Sequence, residues 1–535
     1  MQRINIVGAG LAGLSAALTL AEAGKGCRLI SPMPSERAQS VMAEGGFNAA
    51  LDTMGEQDSP QEHFEDTMRG GVYLADPNAV AALCENAPKM LEKLCSLGAA
   101  LRMSENGPVL RNFGGQKKKR TAYAKSSTGK ILMTALIDAV RKYEAEGLVE
   151  RYAHHRMTEL LVEDHICKGL AVKDIRTGEE TVFSGAVILA SGGMNSLFPG
   201  LTTGTVLNTG DVSAEAFFKG AELANLEFIQ YHPTTVKIPG KRCLISEAAR
   251  GEGGRLYVER QGEKWYFMEE KYPEYGNLSP RDVVSREMQK VMDDKDCGNA
   301  VFLDMTELDE DVWKNRLTDL RKECMELLGK DPAAEPIEVS PGIHYFMGGI
   351  CVDELHRTNC RYLYAAGECA CQYHGANRLG GNSMLGAVYG GRRAALTVLE
   401  EYRDDEENSG LPSEKKPVSV PSPYVWNSAV SDEASEILRN ALGIFRTEES
   451  LMKADEGLQK LLKHETDTMH QKRLLLGRAI LLSALNRRES RGAHTRLDYP
   501  EKNDAAFRKT TVAVFDGNDI RISLREIPKK RGENA

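Results

Sequence analysis

Near the start of the chain, GAGLAG places Gly8, Gly10 and Gly13 at the GxGxxG spacing of a dinucleotide site. Glycines so spaced permit a tight turn, close approach of backbone to a pyrophosphate at a helix N-terminus, and tight packing of that helix on its strand. The bland alternative is a tight turn without a ligand, and the strand and helix patterns on either side argue against it. An NAD site would add an Asp or Glu about twenty residues on, at the end of the second strand, for the ribose hydroxyls. Ser31 followed by Pro32 stands there, which weakens NAD and leaves FAD. The eleven cysteines, spread from Cys27 to Cys371, form no CxxC or CxxCH, so no iron-sulfur cluster, zinc knuckle or c-type haem is expected. The CxC of Cys369 and Cys371 reads as incidental, and no metal site is expected.

These residues need a frame. Residues 4–7 read as an apolar strand, 11–23 as an alanine-rich helix closed by Gly24, and 27–31 as the next parallel strand of a βαβ unit. Helical patterns follow at 77–97 and 128–146, a buried strand at 186–190 (AVILA), and a loop and helix at 208–221. From 227 to 342 the sequence is loop-rich and charged, as an inserted domain would be, and YLYAA at 362–366 reads as a return to the parallel sheet. Residues 403–423, rich in charge, Ser and Pro, read as a linker. Three amphipathic helical runs near 431–445, 448–463 and 470–487 then suggest a small bundle.

Composition sets limits. With 535 residues the chain exceeds one hydrophobic core and should hold roughly two to four domains. Its 41% hydrophobic and 27% charged shares are those of a folded globular protein. A net charge of −9 argues against a nucleic-acid binder, and QKKKR at 116–120, lacking interleaved aromatics, reads as a solvated loop. No apolar run reaches about eighteen residues, so no direct membrane insertion is expected and the chain reads as cytoplasmic.

Seven segments in order, HPTT (232–235), SEAARGEGGRL (246–256), PRDVVSRE (280–287), IHYFMGGI (343–350), AAGECA (365–370), HGANRLGGNSMLGAVYGG (374–391) and SRGAHTRLDYPE (490–501), give the chain a close likeness to one family. It resembles the flavoprotein subunits of fumarate reductase and succinate dehydrogenase, relatives of L-aspartate oxidase. The resemblance implies an α/β FAD-binding Rossmann-like domain (1–226 and 343–402), an inserted α+β capping domain (227–342), and, after the linker, a C-terminal helical domain with a short tail (424–535). It also implies hydride transfer between FAD and a four-carbon dicarboxylate. By that likeness Asp211, Glu368, Ser383 and Met384 contact FAD, as do Ser31, Ser40, Glu44, Gly45 and Gly46.

A dicarboxylate beside the flavin needs a cationic or hydrogen-bonding clamp at each end, because a buried unpaired carboxylate is costly. The resemblance assigns His232 and Ser246 to one end and His344 and Arg378 to the other; a guanidinium fork suits two parallel bonds to a carboxylate. It assigns proton donation to Arg281, resupplied through Glu247 and Arg250, for which a structural Arg-Glu network is the alternative. L-aspartate oxidases typically carry a glutamate before the glycine pair of EGGHSHRR; here Phe113 in RNFGGQKKKR takes that place, which favours fumarate or succinate and leaves aspartate oxidase as the alternative. A second alternative is a non-catalytic flavin-binding electron-transfer module.

RAQSVMAEGGFNAAL at 37–51 is similar to the family segment whose histidine bonds covalently to the flavin. Gln39 stands at that histidine's position, so FAD is expected to be non-covalent. Gln39 and Glu44 together favour fumarate reduction. With no cluster of its own, the chain would take electrons from elsewhere, for instance an iron-sulfur subunit, and could reach a membrane through such a partner.

Overall fold

The structure is a computed structural model; it describes residues 2–124, 127–402 and 431–532. The expected linker at 403–423 therefore lies outside the described residues.

Five parallel strands form the central sheet, in the order Leu363–Ala365, Val187–Leu189, Ile4–Val7, Cys27–Ser31, Val149–Ala153. Val187–Leu189 and Ile4–Val7 are buried throughout, as continuous apolar runs require when a parallel sheet is covered on both faces. Helix Leu11–Glu22 leaves the first strand through the glycine turn and packs against helix Asn382–Glu401. The approach depends on missing side chains: a Cβ on Gly391 would lie 2.0 Å from the carbonyl oxygen of Ala12, and one on Gly13 would lie 1.8 Å from that of Gly8. A three-stranded antiparallel sheet, Glu180–Ser184, Ile166–Asp174 and His155–Glu163, extends the same body.

A six-stranded sheet, ordered Lys241–Leu244, Ile229–Ile238, Ile337–Phe346, Cys297–Asp304, Arg255–Arg260, Glu263–Trp265, carries a second hydrophobic core built from Ile245 to Val339. Its two long central strands belong to both bodies. Ile229, Tyr231, Ile343 and Phe346 pack in the main core, whereas Val339 lies in the second. The pairing His232↔Gly342 falls at that crossing, with a register shift just beyond it.

After residue 431 come the helices Asp432–Ala441, Glu448–His464 and Thr468–Asn486. The third is not amphipathic as expected: it is buried on most sides, its charged Lys472 and Arg473 included. They pair with Glu215 and Asp211 of helix Asp211–Phe218, so the helix can turn cations toward the FAD-side body. The tail is more than a tail. Lys509–Phe515 and Ile520–Glu526 form a hairpin that joins Leu223–Ala224, Gly349–Cys351 and Ala370–Cys371 in a five-stranded sheet. QKKKR also departs from expectation. Gln116 and Arg120 are buried, Arg120 between Asp58 and Asp66, and Lys119 pairs with Glu56, so nearby carboxylates draw the segment inward.

Burial pushes the imidazoles of His63 and His374 down to about 3 and that of His356 to about 4, and holds His232, His344 and His494 well below their ordinary range. The unfolded chain therefore binds more protons than the folded one below pH ~6.5, and stability is lost as pH falls from there, by about 1.4 kcal/mol per unit for each such histidine. Burial also raises the carboxyls of Glu44, to about 8, and Glu368, to about 7, which act in the opposite direction but are outnumbered. The urea midpoint is expected to fall steeply between pH 6.5 and pH 5; a flat profile would contradict these burials.

Candidate active site

One cleft between the two bodies is lined by Gly8, Gly10, Ser31, Ser40, Glu44, Gly45, Gly46, Asp211, Glu368, Ser383 and Met384, and beside them by Phe113, His232, Ser246, Glu247, Arg281, His344 and Arg378. The residues the sequence assigns to cofactor and to substrate thus fall in a single continuous space; Gly13 and Arg250 stand just behind it.

On the cofactor side two helix N-termini open onto the cleft. Neither Gly10, which precedes Leu11–Glu22, nor Gly381, which precedes Asn382–Glu401 at φ +82°, has a side chain to cap its helix. Free N–H groups at a helix start attract anions. Gly8, at φ +119°, lies where a Cβ would be 2.0 Å from the Ala190 carbonyl oxygen, and a Cβ on Gly193 would be 2.7 Å from Glu368 Oε1. This side-chain-free cradle fits the diphosphate of FAD. Ser40 Oγ accepts from Leu11 N at 3.3 Å at the same helix start. Ser31 ends its strand with its hydroxyl donated to Met33 O at 2.6 Å, its lone pairs left to accept. Glu368 Oε1 accepts from Phe346 N at 3.1 Å. Gly45 sits against the Phe113 ring, 3.4 Å from where its Cβ would be.

Asp211 is placed differently from a free cofactor ligand. Arg473 holds both of its oxygens, Nε at 2.5 Å and Nη2 at 2.9 Å. The carboxylate therefore ties the cleft wall to the C-terminal helices. Arg473→Met is expected to cost about 3–5 kcal/mol in unfolding free energy, because it strands a buried carboxylate; chemical denaturation would show it, and a change under about 0.5 kcal/mol would contradict the pairing.

On the other side of the cleft lining, Arg281 begins helix Arg281–Asp293 after Pro280. Its Nη2 and Nε meet Glu247 Oε2 at 2.5 and 2.9 Å, and its Nη1 donates to Gln230 Oε1 at 3.1 Å. Glu247 Oε1 accepts from Gly114 N at 2.9 Å and lies 3.5 Å from Arg250 Nη2. Burial alone would raise the Glu247 carboxyl, but Arg281 and Arg250 together hold it at about 2. Arg281, Glu247 and Arg250 thus form one unbroken chain of charges, all three buried.

The residues expected to form the clamp line the same cleft. The rings of His232 and His344 meet edge to face at 5.1 Å between centroids. Burial first, then Arg281 for His232 and the His232 ring itself for His344, hold both imidazoles well below their ordinary range. Arg378 is 3% exposed, stacks on Tyr345 at 4.4 Å, and makes no ion pair among the described residues; its Nε is buried without a partner. Burial lowers its guanidinium to about 9.

Sequence reasoning missed Gln230, whose Nε2 donates to Asn377 Oδ1 at 2.8 Å and to Arg378 O at 2.9 Å while its Oε1 holds Arg281. It joins Arg281 to the loop of Asn377 and Arg378. The signal was its place two residues before His232 on one strand, hence on the same face.

A dinucleotide cradle opening on a buried cationic cleft is the arrangement of a FAD-dependent oxidoreductase. A family model for the FAD binding domain matches residues 4–384, and one for the fumarate reductase flavoprotein C-terminus matches 468–531. The chain is 38% identical over 578 residues to the succinate dehydrogenase flavoprotein subunit of Bacillus subtilis, covering 99% of this chain and 98% of that one. It is 34% identical over 557 residues to the fumarate reductase flavoprotein subunit of Mycobacterium tuberculosis, covering 95% and 94%. A solved structure of a variant E. coli quinol fumarate reductase superposes with a TM-score of 0.87 at 29% identity, over 99% of this chain and 98% of its own. The chain belongs to the succinate dehydrogenase and fumarate reductase flavoprotein family, enzymes that bind FAD and act on CH–CH bonds. Among the described residues no helix is long and apolar enough to cross a membrane, and no cluster of His, Cys, Asp or Glu could hold a metal ion.

Proposed function

We propose that this enzyme reduces fumarate to succinate, with FAD held without a covalent link. The observation that carries the reading is Arg378: a buried guanidinium with no ion pair among the described residues, facing a cleft in which Arg281 is already matched by Glu247. A ligand carboxylate would supply the missing charge, and His344 beside it completes that end; His232 and Ser246 hold the second carboxylate. Bound flavin supplies the hydride. The protein's part is to orient the alkene and deliver one proton to its other carbon. Arg281 gives that proton and recovers it at Nη2 from Glu247, which is resupplied through Arg250. Arginine is a weak acid, and it serves here because the carbon gaining hydride at its neighbour is strongly basic and Glu247 lies in contact.

Gln39 and Glu44 favour the reductive direction. Without a histidyl link the flavin potential stays low, which hinders succinate oxidation more than fumarate reduction. Phe113 is fully buried against Gly45 and offers no carboxylate to an amino group, which supports fumarate over aspartate, with L-aspartate oxidase as the alternative reading. Electrons would come from an iron-sulfur partner on the cytoplasmic side of a membrane, and purification from the native host should bring a cysteine-rich protein with it.

The decisive experiment is anaerobic. Flavin reduced in the purified protein should reoxidise within seconds on adding millimolar fumarate, and neither succinate nor L-aspartate should reduce the oxidised form as fast. Persistence of reduced flavin would defeat the proposal. Acid precipitation should leave the flavin in the supernatant; yellow protein in the pellet would show a covalent link.

A further inference from the structure

Two hydrogen bonds on one loop connect the Gln39 segment with the clamp. Gln39 Oε1 accepts from Thr205 N at 2.7 Å. Two residues earlier, Thr203 Oγ1 lies 2.9 Å from Nδ1 of His344. The loop is tied down at other points too: Thr203 N donates to Ile343 O at 2.9 Å, and Asn195 Nδ2 donates to Thr202 Oγ1 at 2.7 Å. It therefore runs fixed along the strand that carries His344.

A neutral imidazole donates from one nitrogen and accepts at the other, and its neighbours decide which. The Thr203 hydroxyl is the group at Nδ1. Its competing acceptor, the Ile343 carbonyl, is farther, at 3.4 Å. With the hydroxyl proton donated to Nδ1, the ring hydrogen must sit on Nε2. That tautomer presents a donor to a ligand carboxylate, whereas the other would present a lone pair and repel it. Burial, His232, Arg281 and Arg378 all disfavour a charged ring, so the choice of tautomer governs what His344 can do.

We propose that Thr203 is a positioning residue that fixes His344 as its Nε2–H tautomer for dicarboxylate binding, and that Gln39 is the strut holding the Thr203 loop in place. The inference rests on the dicarboxylate reading above. It also gives Gln39 a task unrelated to flavin attachment: the amide oxygen anchors Thr205, and through that loop the hydroxyl at His344.

The test has one arm without substrate and one with it. In protein labelled with 15N at histidine, at pH 7.5, the His344 signal, assigned by its loss in His344→Gln, should report a single Nε2–H form; in Thr203→Val it should report a mixture of tautomers. In steady-state fumarate reduction Thr203→Val should raise KM about tenfold or more with kcat changed less than about threefold, the loss of one hydrogen bond to a charged ligand. Thr203→Ser should restore KM, Gln39→Leu should raise it, and Val206→Ala on the same loop should leave both constants unchanged. An unaltered tautomer in Thr203→Val, or a wild-type KM, or failure of serine to rescue, overturns the proposal. Loss of fumarate turnover in the wild-type protein with the Nε2–H signal intact would instead defeat the dicarboxylate reading.

Discussion

Replacing Arg281 with lysine should lower fumarate reduction by about a thousandfold while FAD stays bound. Lysine keeps the positive charge, so Glu247 remains paired and the cap should fold. It loses the planar fork that lets one group meet Glu247 through Nε and Nη2 and Gln230 through Nη1 at once. A shorter ammonium held by Glu247 withdraws from the cleft, and the proton no longer reaches the substrate carbon. Reoxidation of reduced flavin by fumarate, followed in a stopped-flow instrument, reads the step directly. Turnover within about tenfold of wild type would remove Arg281 from the donor role and leave the Arg281–Glu247–Arg250 chain as structural support.

The second large effect belongs to Arg378. Exchange for glutamine should reduce kcat/KM for fumarate by roughly 30- to 3,000-fold, the loss expected when one member of a buried charge pair is removed, about 2–5 kcal/mol at tenfold per 1.4 kcal/mol. The same change should stabilise the ligand-free protein. Its guanidinium is buried on Tyr345 with an orphaned Nε and no ion pair among the described residues, so the fold bears a desolvation cost that only a ligand offsets. Thermal unfolding without ligand should shift upward as activity falls. A variant that loses stability and activity together would indicate a structural arginine.

Much of this site was legible in the sequence alone. GAGLAG, HPTT, PRDVV and HGANR each carry a residue type and a local backbone demand together, and all converge on one cleft. What escaped depends on partners distant in sequence. The tie between Asp211 and Arg473 was hidden because nothing nearby in the chain reveals Arg473, which meets it from the last long helix. Gln116 and Arg120 looked solvated because the carboxylates that bury Arg120, Asp58 and Asp66, lie on an earlier segment. The C-terminal hairpin was readable in principle: IRISLRE alternates apolar and polar residues as a half-buried strand does, and Gly517 at φ +94° makes the turn before it. A charged, short tail hid that pattern.

That hairpin bears on how the protein is made. Thr511 donates to Glu227 at 2.7 Å and receives Arg487, and its N–H meets Asn225 across 286 residues of sequence. Leu223–Ala224, the strand on which it closes, leaves the ribosome long before its partner does. Between those moments the nascent chain holds Glu227 and Asn225 without their final partners, and the wall bearing Glu368 and Cys371 without its finished sheet. The five-stranded sheet that carries Ala370–Cys371, two residues beyond Glu368, is therefore complete only once this hairpin has been made.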